Sequence, residues 1–348
     1  MRDDRNIPKL DRYLKNWPDE RKNIINFLEE NVYGKIPERD LHWDITEDIK
    51  KDQDKEVTIY NITVHGQYGE TKFEIQHWKN SGYNFKMPVV IYLTNKKQDG
   101  SWPKPGEKGM PGEKYLENGY AVVVCIADEI EPDDEAIFPN KLGAVIQKKE
   151  KEQKVGALAC WAFGMKIAGD IIKKRADVDE SKVIVAGCSR FGKAALWCGA
   201  RYDWIAVTVS INSGCGGAAI NKGKRGEHLK DMVQSFPHWL SSNVRPYAEN
   251  EENMTFDQHF LLASIAPRKL FVTSSTRDCY SDPYAEFLGL AYASPAYEYY
   301  GEHGIGTWIW PPAGILLDEK NAGYYLREGE HGIETEDWDA LYIWLKNH

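Results

Sequence analysis

Gly187-Cys188-Ser189-Arg190-Phe191-Gly192-Lys193 decides the fold of this chain. The short apolar run Lys182-Val183-Ile184-Val185-Ala186 leads into it, and a helix-like segment from Lys193 to Arg201 leaves it. A serine at a strand-to-helix turn, flanked by glycines, reads as a nucleophile elbow. Gly187 lacks a Cβ, so the backbone turns sharply and pushes Ser189 Oγ above the sheet edge. The helix N-terminus then offers N–H groups to a developing oxyanion. The spacing is G-x-S-x-x-G rather than G-x-S-x-G. A glycine-rich turn with a capping serine is therefore the competing reading. Cys188 competes as nucleophile, but alternation along the strand turns it into the sheet when its neighbour points out.

Outward from the elbow, strands and helices alternate. Upstream, Asp19 to Tyr33 reads as an amphipathic helix. Val57–Val64 and Lys72–Trp78 read as a hairpin around Gly66-Gln67-Tyr68-Gly69. Pro88–Leu93 and Tyr120–Ile126 are continuous apolar runs, which suit central strands buried on both faces. Val155–Lys173 reads as a helix, with Ala157, Trp161, Met165, Ala168 and Ile172 at helical spacing toward the sheet. Downstream, Ile205–Ile211 and Lys269–Ser274 read as strands, Tyr297–Tyr300 as a last strand, and Glu336–Lys346 as a final helix. Residues 212–268 show no clean strand pattern. Alternation of this kind builds a mostly parallel sheet covered on both faces. With a leading hairpin and an elbow after a middle strand, it predicts an α/β-hydrolase fold, a three-layer αβα sandwich. The expectation is one domain over residues 1–348, with an N-terminal helical extension and an insertion at about 212–268. Neither G-x-G-x-x-G nor a Walker A motif occurs where a nucleotide fold needs it.

Composition excludes several classes. The chain has 348 residues, 42% hydrophobic, enough for one large domain. Its formal net charge of −9 argues against non-specific nucleic-acid binding, which needs a basic surface. No apolar run reaches the length of a membrane span. The expectation is a monomer that binds neither nucleic acid nor membrane. Met1-Arg2-Asp3-Asp4-Arg5 opens no apolar signal region, which predicts a cytoplasmic protein or a secreted one whose signal has been removed. The six cysteines form no C-x-x-C pair and read as free thiols rather than a metal site.

A serine nucleophile needs a base for its proton and a carboxylate that orients the base. On this fold the chain order is serine, acid, histidine. His331, in Glu328-Gly329-Glu330-His331-Gly332, lies between the last strand and the last helix and is the base candidate. His303 is the runner-up, and His259 reads as part of a helix. Asn212 follows the strand Ile205–Ile211, so no carboxylate stands there. Asp278 follows the strand Lys269–Ser274 by a few residues and is the acid candidate. Asp282 is second, with a competing reading as a helix cap before Pro283. Arg190 and Lys193 put positive charge at a helix N-terminus, against the macrodipole, which points to a role beyond solvation. Phe236, Trp239 and Trp308-Ile309-Trp310 read by default as core, with sugar platforms as the alternative.

The elbow, together with Ser213-Gly214-Cys215-Gly216-Gly217, Phe236-Pro237-His238-Trp239, Phe256-Asp257-Gln258-His259, Ala266-Pro267-Arg268 and Glu330-His331-Gly332, resembles the glucuronoyl esterases of carbohydrate esterase family 15. The likeness runs over most of the chain, from Val32-Tyr33-Gly34 onward. It implies an α/β-hydrolase without metal or cofactor that cleaves esters of (4-O-methyl-)D-glucuronic acid, which join glucuronoxylan to lignin alcohols. It makes Ser189 the nucleophile, His331 the base, and Arg190 an oxyanion stabiliser through its N–H and guanidinium. Lys193 would bind sugar hydroxyls, and Glu227 and Gln234 fall in the segment that adds sugar contacts.

The chain also departs from the family pattern. Many members carry their acid where Asn212 stands; bacterial members often use the position of Asp278. Tyr280 replaces a tryptophan that many members have for sugar stacking. Gly332 follows His331, so a fungal disulfide joining that position to Cys188 is missing. Two other readings stand beside the uronate esterase: a broader acetyl or feruloyl deacylase, and a catalytically weak sugar-binding homologue.

Overall fold

The computed structural model describes residues 6–83, 85–150 and 153–348. Its strands are β1 (His42–Asp52), β2 (Lys55–Gly66), β3 (Gly69–Asn80), β4 (Met87–Thr94), β5 (Ala121–Ile126), β6 (Val178–Cys188), β7 (Val207–Ile211), β8 (Lys269–Ser275), β9 (Leu316–Asp318) and β10 (Ala322–Arg327). They form one sheet in the order β1-β2-β3-β5-β4-β6-β7-β8-β10-β9. The run β5-β4-β6-β7-β8-β10 is parallel. β1, β2 and β3 form an antiparallel meander that joins β5 antiparallel, and β9 closes the other edge antiparallel to β10. This is the α/β-hydrolase arrangement, with the strand that feeds the elbow at its centre.

Alternation along β4 shows how the layers form. Val89, Ile91 and Leu93 join one core with Trp161 and Phe163 of the helix Ala157–Ile172. Val90 and Tyr92 join the opposite core with Trp338, Leu341 and Trp344 of the helix Thr335–Asn347. A period of two sends successive side chains to opposite faces, and each face needs a helical layer. The helix Ala157–Ile172 is buried almost all round, not only on its sheet side. Its Trp161 is fully buried and donates from Nε1 to Glu131 O at 2.7 Å. Burial of such a ring contributes roughly 2–3 kcal/mol, and the donated bond keeps its polar end satisfied.

Four elements differ from expectation. Tyr297–Tyr300 is no strand: Tyr297 to Tyr299 end the helix Pro283–Tyr299, and Tyr300 caps it. Tyrosines favour strands, yet Tyr297 is fully buried in the helical layer, and packing overrides propensity. The strand that precedes His331 is β10, which the sequence reading passed over. β1 also lies outside the predicted strands: Trp43, Ile45 and Ile49 alternate along it, but they stand among charged residues and nearly every residue is exposed. The predicted helix 19–33 begins at Trp17, is α-helical to Leu28, and continues as a wider π turn through Tyr33. Between β7 and β8, residues 212–268 contain helices Leu229–Ser235, Arg245–Ala248 and Gln258–Ala263 and no strand among the described residues. Every cysteine is a free thiol.

Candidate active site

Ser189 sits at the C-terminal end of β6, immediately before the helix Arg190–Arg201. Its backbone has φ 59° and ψ −127°, a region that side-chain-bearing residues rarely adopt. Surrounding bonds hold it there. Its N–H donates to Ile211 O at 2.8 Å, and its carbonyl accepts from Gly192 N at 2.9 Å and Lys193 N at 3.2 Å. The positive φ thus belongs to the serine itself. Gly187 is needed for a different reason than the expected sharp turn: a Cβ there would lie 2.2 Å from Phe191 O. The serine side chain makes no capping bond, which removes the capping-serine reading. Cys188 packs on the core that contains Tyr92 and Trp338, and burial pushes its thiol far above the ordinary range.

β7 lies beside β6, and Asn212 follows it. Asn212 donates from its backbone to Thr273 O at 2.8 Å and from Nδ2 to Gly332 O. This contact brings the His331 loop to the edge of the sheet where Ser189 stands. His331 Nδ1 is 2.5 Å from Asp278 Oδ2. The other oxygen, Oδ1, accepts from Ser281 N at 3.1 Å. Burial pushes the Asp278 carboxyl up, but the bonds to His331 and Ser281 outweigh it and hold it below its ordinary value. The imidazole is half-exposed and the carboxyl buried. An imidazole oriented by a buried carboxylate is therefore present. Asp282 behaves as the helix cap: Oδ1 accepts from Ala285 N at 3.1 Å and Oδ2 from Arg225 N at 2.5 Å. His303 is exposed, and His259 is fully buried with Nε2 at 2.8 Å from Pro8 O.

Arg190 is the first residue of its helix, so its N–H has no partner inside the helix. Its guanidinium is ion-paired with Asp133. Asp133 was not anticipated. Its Oδ1 also lies 2.7 Å from His238 Nε2 and accepts from Trp239 Nε1 at 2.7 Å. Burial works against this charge, but His238, Trp239 and Arg190 together hold the carboxyl at about 2. Asp133→Ala leaves three donors without their acceptor, so a loss of about 3 kcal/mol is expected together with lower turnover. A carboxyl held this low stabilises the fold above pH 3.8, and the contribution fades as pH falls toward about 2. Thermal melts of both proteins at pH 7 and pH 3 check the sign: the gap should narrow at the lower pH.

A model of the fungal glucuronyl esterases matches residues 61–301. A carbohydrate esterase from an unknown prokaryotic organism is 32% identical over 377 residues, covering 96% of this chain and 85% of the relative. This chain belongs to the glucuronoyl esterase family. A solved glucuronoyl esterase from Solibacter usitatus superposes with a TM-score of 0.83 at 30% identity, over 95% of this chain and 93% of that one. The 4-O-methyl-glucuronoyl methylesterase of Podospora anserina is 32% identical over 179 residues, 49% of this chain and 34% of that enzyme. The aligned segment thus spans about a third of the fungal relative. As a member of the glucuronoyl esterase family, the chain is a carboxylic ester hydrolase.

On this esterase frame the predicted sugar-side residues fall into two groups. Lys193 is buried and donates from Nζ to Ser213 O at 2.6 Å, with the Trp239 ring 5.7 Å away. Burial lowers its pKa, and nearby Glu227 partly restores it. Glu227 is buried, donates from its N–H to Tyr280 O at 2.9 Å, and accepts from Tyr280 Oη at 3.1 Å. Tyr280 is 58% exposed, and burial of its hydroxyl beside Glu227 pushes its pKa up to about 12. Lys193, Glu227 and Tyr280 therefore form one cluster. Gln234 does not join it: it is exposed on Leu229–Ser235, and no bond ties it to the cluster among the described residues. Trp239 is core, stacked on Phe236 at 3.9 Å. Trp308, Ile309 and Trp310 are exposed, against the default reading as core. The signal that could have found Asp133 was an acidic loop, Glu131-Pro132-Asp133-Asp134, soon after a central strand.

Proposed function

We propose that this chain hydrolyses esters of (4-O-methyl-)D-glucuronic acid in glucuronoxylan through an acyl-enzyme on Ser189. The observation that carries the reading is the Asp278–His331 pair, tied through Asn212 to the strand beside the elbow. His331 takes the Ser189 proton as Oγ bonds to the ester carbon, and returns it to the alcohol as the C–O bond breaks. Water, deprotonated by the same imidazole, then releases the uronate and restores Ser189. The Arg190 N–H, without a partner inside its own helix, would serve the developing oxyanion, with the guanidinium held by Asp133. The Podospora anserina relative is named for the 4-O-methyl-glucuronoyl methyl ester, which supports the sugar acid as the acyl group.

Lys193 spends one N–H on Ser213, which leaves two for sugar hydroxyls; Glu227 and Tyr280 would complete that side. Ground-state contacts act on binding, so Lys193→Ala should mainly raise KM for a methyl glucuronate ester. An ester lacking the sugar should be almost unaffected. Equal damage to both substrates would make Lys193 a brace for the Ser213 loop instead. The test of the whole reading is a saturation curve on benzyl or methyl glucuronate beside one on an acetylated sugar. Faster hydrolysis of the acetylated sugar would favour the broader deacylase.

A further inference from the structure

His331 is half-exposed, on a short loop between β10 and the last helix. Its close side-chain bond is to Asp278, with Ser281 Oγ more distant at 3.5 Å from the same ring nitrogen. Among the described residues both ring contacts are made through Nδ1, which orients the imidazole but does not fix the backbone that carries it, and a misplacement of ~1 Å at a base can cost on the order of 10²-fold in rate. Something must hold the loop itself. Buried donors from two directions do so. Arg327, at the end of β10, donates from Nη2 to Glu330 O and to Gly332 O, both at 3.0 Å. Those are the carbonyls one residue before and one residue after His331. The same nitrogen donates to Ser275 Oγ at 2.6 Å, and Nε pairs with the buried Asp337 at 2.9 Å. The second donor is Asn212 Nδ2, on the same Gly332 oxygen.

Asn212 is the more telling of the two. It is fully buried, and its Oδ1 has no partner among the described residues, so the side chain is held for its donor rather than its acceptor. It stands next to Ile211, whose carbonyl receives the Ser189 N–H. One side chain therefore links the strand that anchors the nucleophile to the loop that carries the base. We propose that Asn212, with Arg327, is a positioning residue that sets the separation of Ser189 and His331, in a slot where a carboxylate could not do this. A carboxylate would turn acceptor against the Gly332 carbonyl. The inference rests on the Ser189–His331 reading above.

The test uses Asn212→Gly, Asn212→Asp, and Asn212→Asp combined with Asp278→Asn. Asn212 has φ 45°, and glycine takes that conformation without strain, so Asn212→Gly removes the donor while sparing the backbone. It should melt near the wild type and lose on the order of tenfold or more in kcat with KM unchanged, because the sugar contacts are untouched. Asn212→Asp should lose at least as much. In the Asp278→Asn background it should restore nothing. Wild-type kcat in Asn212→Gly overturns the proposal. So does a rise in turnover when Asn212→Asp is added to Asp278→Asn, which would make the slot a reserve acid site. Ser189→Ala runs alongside: if that variant keeps its turnover, the serine reading fails first and the positioning role falls with it. A loss of kcat in Asn212→Gly, with Ser189→Ala inactive, supports both.

Discussion

Ser189→Ala should lower turnover of a methyl glucuronate ester by about 10⁴–10⁶-fold, because covalent catalysis is lost while binding and oxyanion contacts remain. The fold should survive. The Ser189 side chain caps nothing, so no buried partner is left unpaired by its removal. Ser189→Gly should be equally inactive but more stable than Ser189→Ala by about 1 kcal/mol, since only glycine sits at φ 59° without a Cβ penalty. Melting curves of the two variants read the strain directly, and an initial-rate assay reads the chemistry. Cys188 cannot take over: its side chain belongs to the core behind the sheet, and burial keeps its thiol protonated. Turnover retained in Ser189→Ala would end the serine mechanism.

What the sequence makes legible depends on whether a feature is local. The elbow reads directly, because the strand, the turn residues and the helix that force Ser189 outward are contiguous. His331 reads from its place between a strand and a helix, although the strand is β10 and not Tyr297–Tyr300. Asp278 reads from strand order alone. Asp133 does not. Its partners Arg190, His238 and Trp239 are 57, 105 and 106 residues away, and only the folded chain brings them together. Asn212 illustrates the same limit from the other side. By residue type it is a missing acid; by geometry it is a donor to the loop that carries His331. β1 escaped for a third reason: its alternating Trp43, Ile45 and Ile49 are diluted by charged residues, because an exposed edge strand is satisfied by its neighbour β2 rather than by a buried face.

The edges of the site follow from charge. Asp133, partly buried, and Asp278, buried, are anions whose charge specific donors favour, one beside Arg190 and one beside His331. Each pairs with a positive or proton-donating group of the site, and those bonds outweigh the burial that works against its charge.

Asp278→Asn should therefore cost about 10²–10⁴-fold in turnover, because an amide neither enforces the imidazole tautomer nor stabilises the imidazolium. Asp282→Asn should differ in kind. Both Asp282 oxygens accept backbone N–H groups, from Ala285 and Arg225, and an amide can serve only one of them. The expected cost is about 1 kcal/mol of stability, with turnover within a few-fold of wild type. Stability against pH adds a second signature for Asp278. Its carboxyl is held below the ordinary 3.8 by His331 and Ser281, despite burial, so its stabilising contribution is present above pH 3.8 and is lost as pH falls through the lower folded value. The melting temperatures of wild type and Asp278→Asn should be furthest apart near neutral pH and converge in acid. Reversed effects of the two substitutions on turnover would move the acid role to Asp282. If neither variant loses more than a few-fold, the bond at 2.5 Å between Asp278 and His331 is structural, and the imidazole works without a carboxylate behind it.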